Sequence, residues 1–140
     1  MTYIKTKLKR SIDIDAIITL HYFEYMKNFE FKGESHNFWE FLYVDKGTIA
    51  VRADDTWTTL KTGEDSPNLV VMSFTCDSPA MDFFIRRNFT LSMEERSMIS
   101  QIITEARQTF STPMHIPSVE QVELKDNTPF ASQQMILLYL

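Results

Sequence analysis

The stretch Gly33-Glu-Ser-His-Asn-Phe-Trp-Glu-Phe-Leu-Tyr-Val-Asp-Lys-Gly47 gathers Glu34, His36 and Glu40, the side chains best suited to chemistry in this sequence. His36 and Glu40 are an even number of residues apart, so on an extended strand both point to one side. Oxygen and imidazole donors in this order converge on a metal ion where a strand enters a barrel and its alternate side chains point inward. The next histidine, His115, lies in a different segment, and a stable metal site needs three or four ligands. The reading is therefore a pocket wall without metal, with His36 at a rim and Glu40 as a satisfied polar residue. Glu34, His36 and Glu40 remain the alternative metal set. Cys76 ends the apolar run Val70-Val-Met-Ser-Phe-Thr-Cys76. No flanking Lys, Arg or His favours a thiolate there, so it reads as a core filler. The basic run Lys5-Thr-Lys-Leu-Lys-Arg10 reads as a solvated N-terminal arm.

Short strands joined by turns must position these residues. The runs at 17–24, 29–32, 38–45, 48–53, 56–61 and 68–75 are rich in β-branched and aromatic residues or alternate apolar with polar, as strands do. Asp54-Asp55 between the runs at 48–53 and 56–61 predicts a hairpin. The run at 38–45 has little polar relief and is expected to be buried on both faces. After residue 77 the period changes. Pro79 opens a short helix over 78–85. Ser92-Met-Glu-Glu95 is a capping box. Behind it Met98, Ile99, Ile102, Ile103, Ala106 and Phe110 recur at three and four, which predicts an amphipathic helix ending near Thr112-Pro113. A further helix is expected from Ala131.

Composition narrows the classes. The chain has 140 residues, enough for one domain with a core. It is 44% hydrophobic, with eleven Phe, five Tyr and two Trp, a load that fills cores and lines small-molecule pockets. A net charge of −5 argues against a general phosphate-binding surface. A single cysteine forms no disulfide within the chain, which fits a reducing cytoplasm. There is no signal peptide and no apolar run long enough for a membrane span.

Strand parity then nominates a pocket lining. Phe38, Glu40, Leu42 and Val44 share one side of their strand; Val70, Met72 and Phe74 share one side of theirs. With His36, the expected ligand-binding residues are Phe38, Glu40, Leu42, Val70, Met72 and Phe74. If Glu40 faces solvent instead, Trp39, Phe41 and Tyr43 become the lining.

The spacing from His36 to Glu40 and on to Gly47 resembles the first motif of the cupin superfamily, small jelly-roll barrels of antiparallel strands. Glu34 stands where that motif has a further histidine, and the second motif is absent after Leu60-Lys-Thr-Gly-Glu64. A longer resemblance, from about Ile17 to Leu140, is to the sensor half of AraC-type bacterial transcription regulators. It is carried by FEFKGESHNFWEFLYVDKG, LKTGE, NLVVMSFTCDSPAM, the capped helix and STP. The resemblance implies a mainly β fold with C-terminal α-helices: a cupin barrel over 1–76, then a helical dimerisation segment over 77–140. It implies a cytoplasmic sensor with no catalytic residue and no cofactor, a small-molecule effector such as a sugar, and a homodimer. The apolar ending Met135-Ile-Leu-Leu-Tyr-Leu140 points to pairing through the C-terminal helices. DNA is reached, in that family, through a C-terminal helix-turn-helix half; the chain is expected to break off before it. A metal-dependent cupin isomerase or oxygenase, and a purely assembling domain, are the competing functions.

One departure concerns length. After Glu64 the family continues with two further strands, whereas here Asp65-Ser66-Pro67 leads straight to Asn68. A deletion, a short hairpin through these turn residues, or an unobserved segment near 64–66 account for it; we expect the last, because loops of sensor barrels are where disorder collects.

Overall fold

The computed structural model of the chain describes residues 1–24, 37–46, 48–53, 56–61, 68–85 and 87–140. Among the described residues five strands come first: β1 (Ala16–Phe23), β2 (Trp39–Lys46), β3 (Thr48–Ala53), β4 (Thr56–Lys61) and β5 (Asn68–Thr75). A 3-10 helix spans Pro79–Phe84, and two α-helices follow, α1 (Met93–Thr109) and α2 (Ser132–Tyr139). These match the expected segments to within a few residues. The strand expected at 29–32 and the junction at 64–66 lie outside the described residues.

The strands pair antiparallel in two groups, a sheet of order β1-β5-β2 and the hairpin β3-β4. The expected closed barrel is not what the described strands make. Closure requires each strand to pair on both edges; here β5 fills the space between β1 and β2, while β3 and β4 ladder only with each other. The shown architecture is an open antiparallel sheet, a hairpin and helices.

Directly opposed residues of an antiparallel ladder share a face. Leu20, Met72 and Phe41 form one row across the sheet, and Tyr22, Val70 and Tyr43 the next row on the same face. His21, Val71 and Leu42, then Phe23, Leu69 and Val44, form rows on the opposite face. The first face packs on the helices: Leu20, Val70 and Met72 cluster with Ile99, Ile102, Ile103, Ala106 and Ile136. On the second face Phe23, Val44 and Leu69 form a cluster joined by Leu42 and Val71. This corrects the parity assignment. Glu40 and Leu42 lie on one face of the sheet, and Val70, Met72 and Phe74 on the other, because the register sets β2 one residue away from the expected alignment.

Helix α1 starts where its chemistry says. The Glu95 backbone N–H donates to Ser92 Oγ at 3.2 Å, and the Ser92 N–H donates to Glu95 Oε2 at 2.7 Å. Ile99, Ile102, Ile103 and Ala106 are buried as the spacing predicts, but Met98 is half exposed. The last turn is closed from outside the helix: Lys125 donates its N–H to the Thr109 carbonyl at 2.8 Å and its Nζ to the Arg107 carbonyl at 2.6 Å. Ser111 N–H to the Glu123 carbonyl, 2.9 Å, ties the two ends of the 110–125 excursion together. Its middle lies along β1, where the Tyr22 N–H donates to the Met114 carbonyl at 2.9 Å.

Helix α2 begins after Ala131, whose φ of 65° is left-handed, and no side chain caps it. Packing holds it instead. Ile136 is buried in the shared core, and Ser132 Oγ donates to Glu105 Oε2 on α1 at 2.8 Å. At the other end of the chain, residues 1–12 form an exposed arm without regular structure. The arm joins the body at Asp13, whose N–H donates to Ser78 Oγ at 2.9 Å.

Candidate functional site

Two strands carry the same short pattern, Tyr22-Phe-Glu24 and Tyr43-Val-Asp45. Residues two apart on a strand share a face, so each tyrosine sets a carboxylate beside itself. The register brings Tyr22 and Tyr43 to either side of Val70. Across from them α1 presents Arg96, Ser100, Ile103 and Arg107, a stripe spaced at three and four along one side of the helix. Between sheet and helix lies an open cleft of about 420 Å³ lined by these residues. Its floor is apolar, made by Val70, Ile99 and Ile103.

The polar groups of the cleft are mutually adjusted. Tyr43 O–H donates to Asp45 Oδ1 at 3.3 Å. Burial raises the Tyr43 pKa above its ordinary value of 10.0; the Asp45 charge adds to this, and the Arg96 charge opposes it. Tyr22 is raised likewise, first by burial and then by Glu24, with Arg107 in opposition. Both phenols thus stay protonated as hydrogen-bond donors over a wide pH range. The cleft offers phenolic and guanidinium donors, carboxylate acceptors and three aliphatic hydroxyls, Ser97, Ser100 and Thr104, around an apolar floor. That arrangement can orient a small polar molecule by hydrogen bonds of both senses.

The opposite face holds a different set. His21 is buried, and among the described residues its Nε2 has no hydrogen-bond partner. Its ring stacks on Phe23 with centroids 5.2 Å apart and 15° between planes. Burial lowers the His21 pKa, against a hydrogen bond to the Ile116 backbone and the Glu40 charge. Glu40 stands opposite Ser73 and is exposed, which overturns its expected inward direction. The set on the other parity, Trp39, Phe41 and Tyr43, is half-buried on the helix side, and Tyr43 reaches the cleft. The Trp39 indole Nε1 donates to the Cys76 carbonyl at 3.2 Å.

Of the residues nominated from sequence, Val70 lines the cleft. Met72 and Phe74 are buried further along the same face of β5. Leu42 and Glu40 lie on the opposite face, and Phe38 is half-buried just before β2. His36 and Glu34 lie outside the described residues. Sequence reasoning passed over Tyr22, Glu24, Asp45, Arg96 and Arg107. Their signal was the repeated Tyr-x-acid pattern on two strands. Among the described residues, no three His, Cys, Asp or Glu side chains are placed to hold a metal ion, and no helix is long and apolar enough to cross a membrane.

Comparison with protein-family models, curated proteins and solved structures finds no match to this chain.

Proposed function

We propose that the chain is a small-molecule sensing domain that pairs with a second copy, as its resemblance to the sensor half of AraC-type regulators implies, and that the cleft between the β1-β5-β2 sheet and α1 receives the effector. In this reading the antiparallel sheet and the β3-β4 hairpin are strands of a cupin jelly roll. The observation that carries it is the convergence of two tyrosine–carboxylate pairs and two arginines over one apolar floor. The volume falls within the ~300–1,000 Å³ of small-ligand pockets. A polyhydroxyl compound such as a sugar matches the lining: its hydroxyls donate to Glu24 and Asp45 and accept from Arg96 and Arg107.

A thermal-shift screen with sugars and other small metabolites tests the reading, because a ligand that binds the native state raises Tm by mass action. The expected hit loses its shift in Arg96→Ala and Tyr43→Phe and keeps it in Glu40→Gln, on the opposite face. A hit that depends on Glu40 and ignores Arg96 places the effector on the other side of the sheet and overturns the cleft.

A further inference from the structure

Three phenylalanines following β5 stand in the open while packed on one another. Phe83 and Phe84 meet edge to face with centroids 5.3 Å apart, and Phe89 lies 6.0 Å from Phe83 and 5.9 Å from Phe84. The Arg87 guanidinium sits 4.3 Å above the Phe83 ring. Despite these contacts Phe83, Phe84 and Phe89 are 53%, 41% and 56% exposed, and Ile85 is 51% exposed. Rings already ordered by each other lose little freedom when covered, which is what an interface anchor requires.

The chain carries a segment of matching chemistry. In the arm, Tyr3, Ile4 and Leu8 are more than four-fifths exposed. If the arm extends as a strand, Ile4 and Leu8 fall on one side, and Lys5, Lys7 and Lys9 on the other. Residues 1–12 hold no acid, in a chain whose net charge is −5. Besides Arg87, the surrounding segments carry acids: Asp82 lies in the 3-10 helix, and Asp13, Asp15 and Asp77 line an open groove of about 330 Å³ with Ser78, one residue before that helix. The arm's apolar residues match the cluster and its lysines match the aspartates in chemistry, and among the described residues both sets are exposed.

We propose that the arm of one copy docks across the Phe83–Phe84–Phe89 cluster and the aspartate groove of a second copy, and that this exchange is reciprocal. The root of the arm supplies the symmetry. Asp13 is hydrogen-bonded to Ser78, one residue before the 3-10 helix that carries the cluster. Two copies meeting at this end about a twofold axis each lay an arm on the other, which closes the assembly as a dimer. The route is distinct from the expected one through the C-terminal helices, where Ile136 packs into the core of its own chain and Leu138 is 67% exposed. It rests on the pairing half of the proposed function and is independent of the cleft.

Light scattering and sedimentation of the full chain over a concentration series test it. We expect a dimer that weakens at least tenfold when residues 2–10 are deleted, when Phe83 and Phe84 are both changed to Ser, or when Lys5, Lys7 and Lys9 become Glu. Raising the salt also weakens it. All of these positions are exposed, so circular dichroism should show the fold intact. An equimolar mixture of the arm-deleted chain with the Phe83→Ser/Phe84→Ser chain restores association, since one sound arm then meets one sound cluster. A dimer unchanged by arm deletion overturns this route and leaves pairing itself standing. A chain that stays monomeric at every concentration overturns both, whether or not the thermal-shift screen finds an effector. No association in the mixture, with dimer loss in each variant alone, assigns the arm to its own chain and also overturns the exchange.

Discussion

The two faces of the β1-β5-β2 sheet are one residue apart along every strand, and they treat polar groups differently. On the helix side the interior is apolar through Leu20, Met72, Ile102 and Ile136, and the polar groups collect at one end, in an open cleft where acids and cations meet. On the other side a histidine lies buried beside an apolar cluster, with one nitrogen unpartnered among the described residues. A polar group at the mouth of a cleft keeps water or a ligand as its partner, whereas one closed into a core must find a protein partner or bear the cost of having none. The first arrangement suits binding; the second makes stability depend on protonation.

The largest test of this contrast is the core itself. Met72→Ala and Leu69→Ala, on opposite faces of β5, should each lower stability by about 2–5 kcal/mol, read as a fall in the urea midpoint. If the faces enclose separate cores, the double variant adds to within about 0.5 kcal/mol. A larger interaction energy would mean that the two sides move as one unit.

The cleft depends on where α1 begins. Ser92→Ala removes the capping box and should lower stability by about 1 kcal/mol. It should also weaken any ligand found in the thermal-shift screen, because Arg96 sits on the first turns of that helix. Lost stability with unchanged ligand affinity would separate the helix start from the site.

Protonation gives the next test. Burial holds the His21 pKa below its ordinary 6.5 in the folded chain, so as pH falls the unfolded chain takes up the proton first. Stability from this group is complete above that value and is lost as pH falls from there through the lower folded pKa. His21→Phe should flatten the dependence of the urea midpoint between pH 7 and pH 5. An unchanged slope would show that His21 is not the titrating group.

The smallest expected effect is on the helix side. Tyr43→Phe removes one hydroxyl at a half-buried position and should change stability by no more than about 0.5 kcal/mol, while abolishing the ligand shift. A loss of several kcal/mol would make Tyr43 a structural residue and blur the contrast between the faces.

Local rules carried the elements a long way. Alternation, turn residues and the Ser92–Glu95 box located every described strand and helix to within a few residues. They could not orient β2 and β5, because Trp39-Glu-Phe-Leu-Tyr-Val and Leu69-Val-Val-Met-Ser-Phe are apolar at nearly every step. A strand apolar at nearly every step carries no parity signal. The set nominated as one wall was therefore divided between two faces. Nor does local patterning say that β5 inserts between β1 and β2, since that pairing joins segments far apart in the chain. The cleft stayed hidden for a related reason: β1, β2 and α1 each supply only a fragment of it, and none of these fragments is a motif alone.

The Tyr22–Met114 hydrogen bond has a consequence for life in a crowded solution. Among the described strands β1 is the outer one of its sheet, and an outer strand offers unused amide groups on which a foreign strand can grow. The 110–125 excursion occupies part of that template; Ser111–Glu123 ties its two ends together, and Lys125–Thr109 fastens it to the end of α1. It works as a latch against misassembly. A protease nick between residues 116 and 121 would leave the core residues in place while freeing the latch, and the cut protein should seed aggregates before it loses its secondary structure.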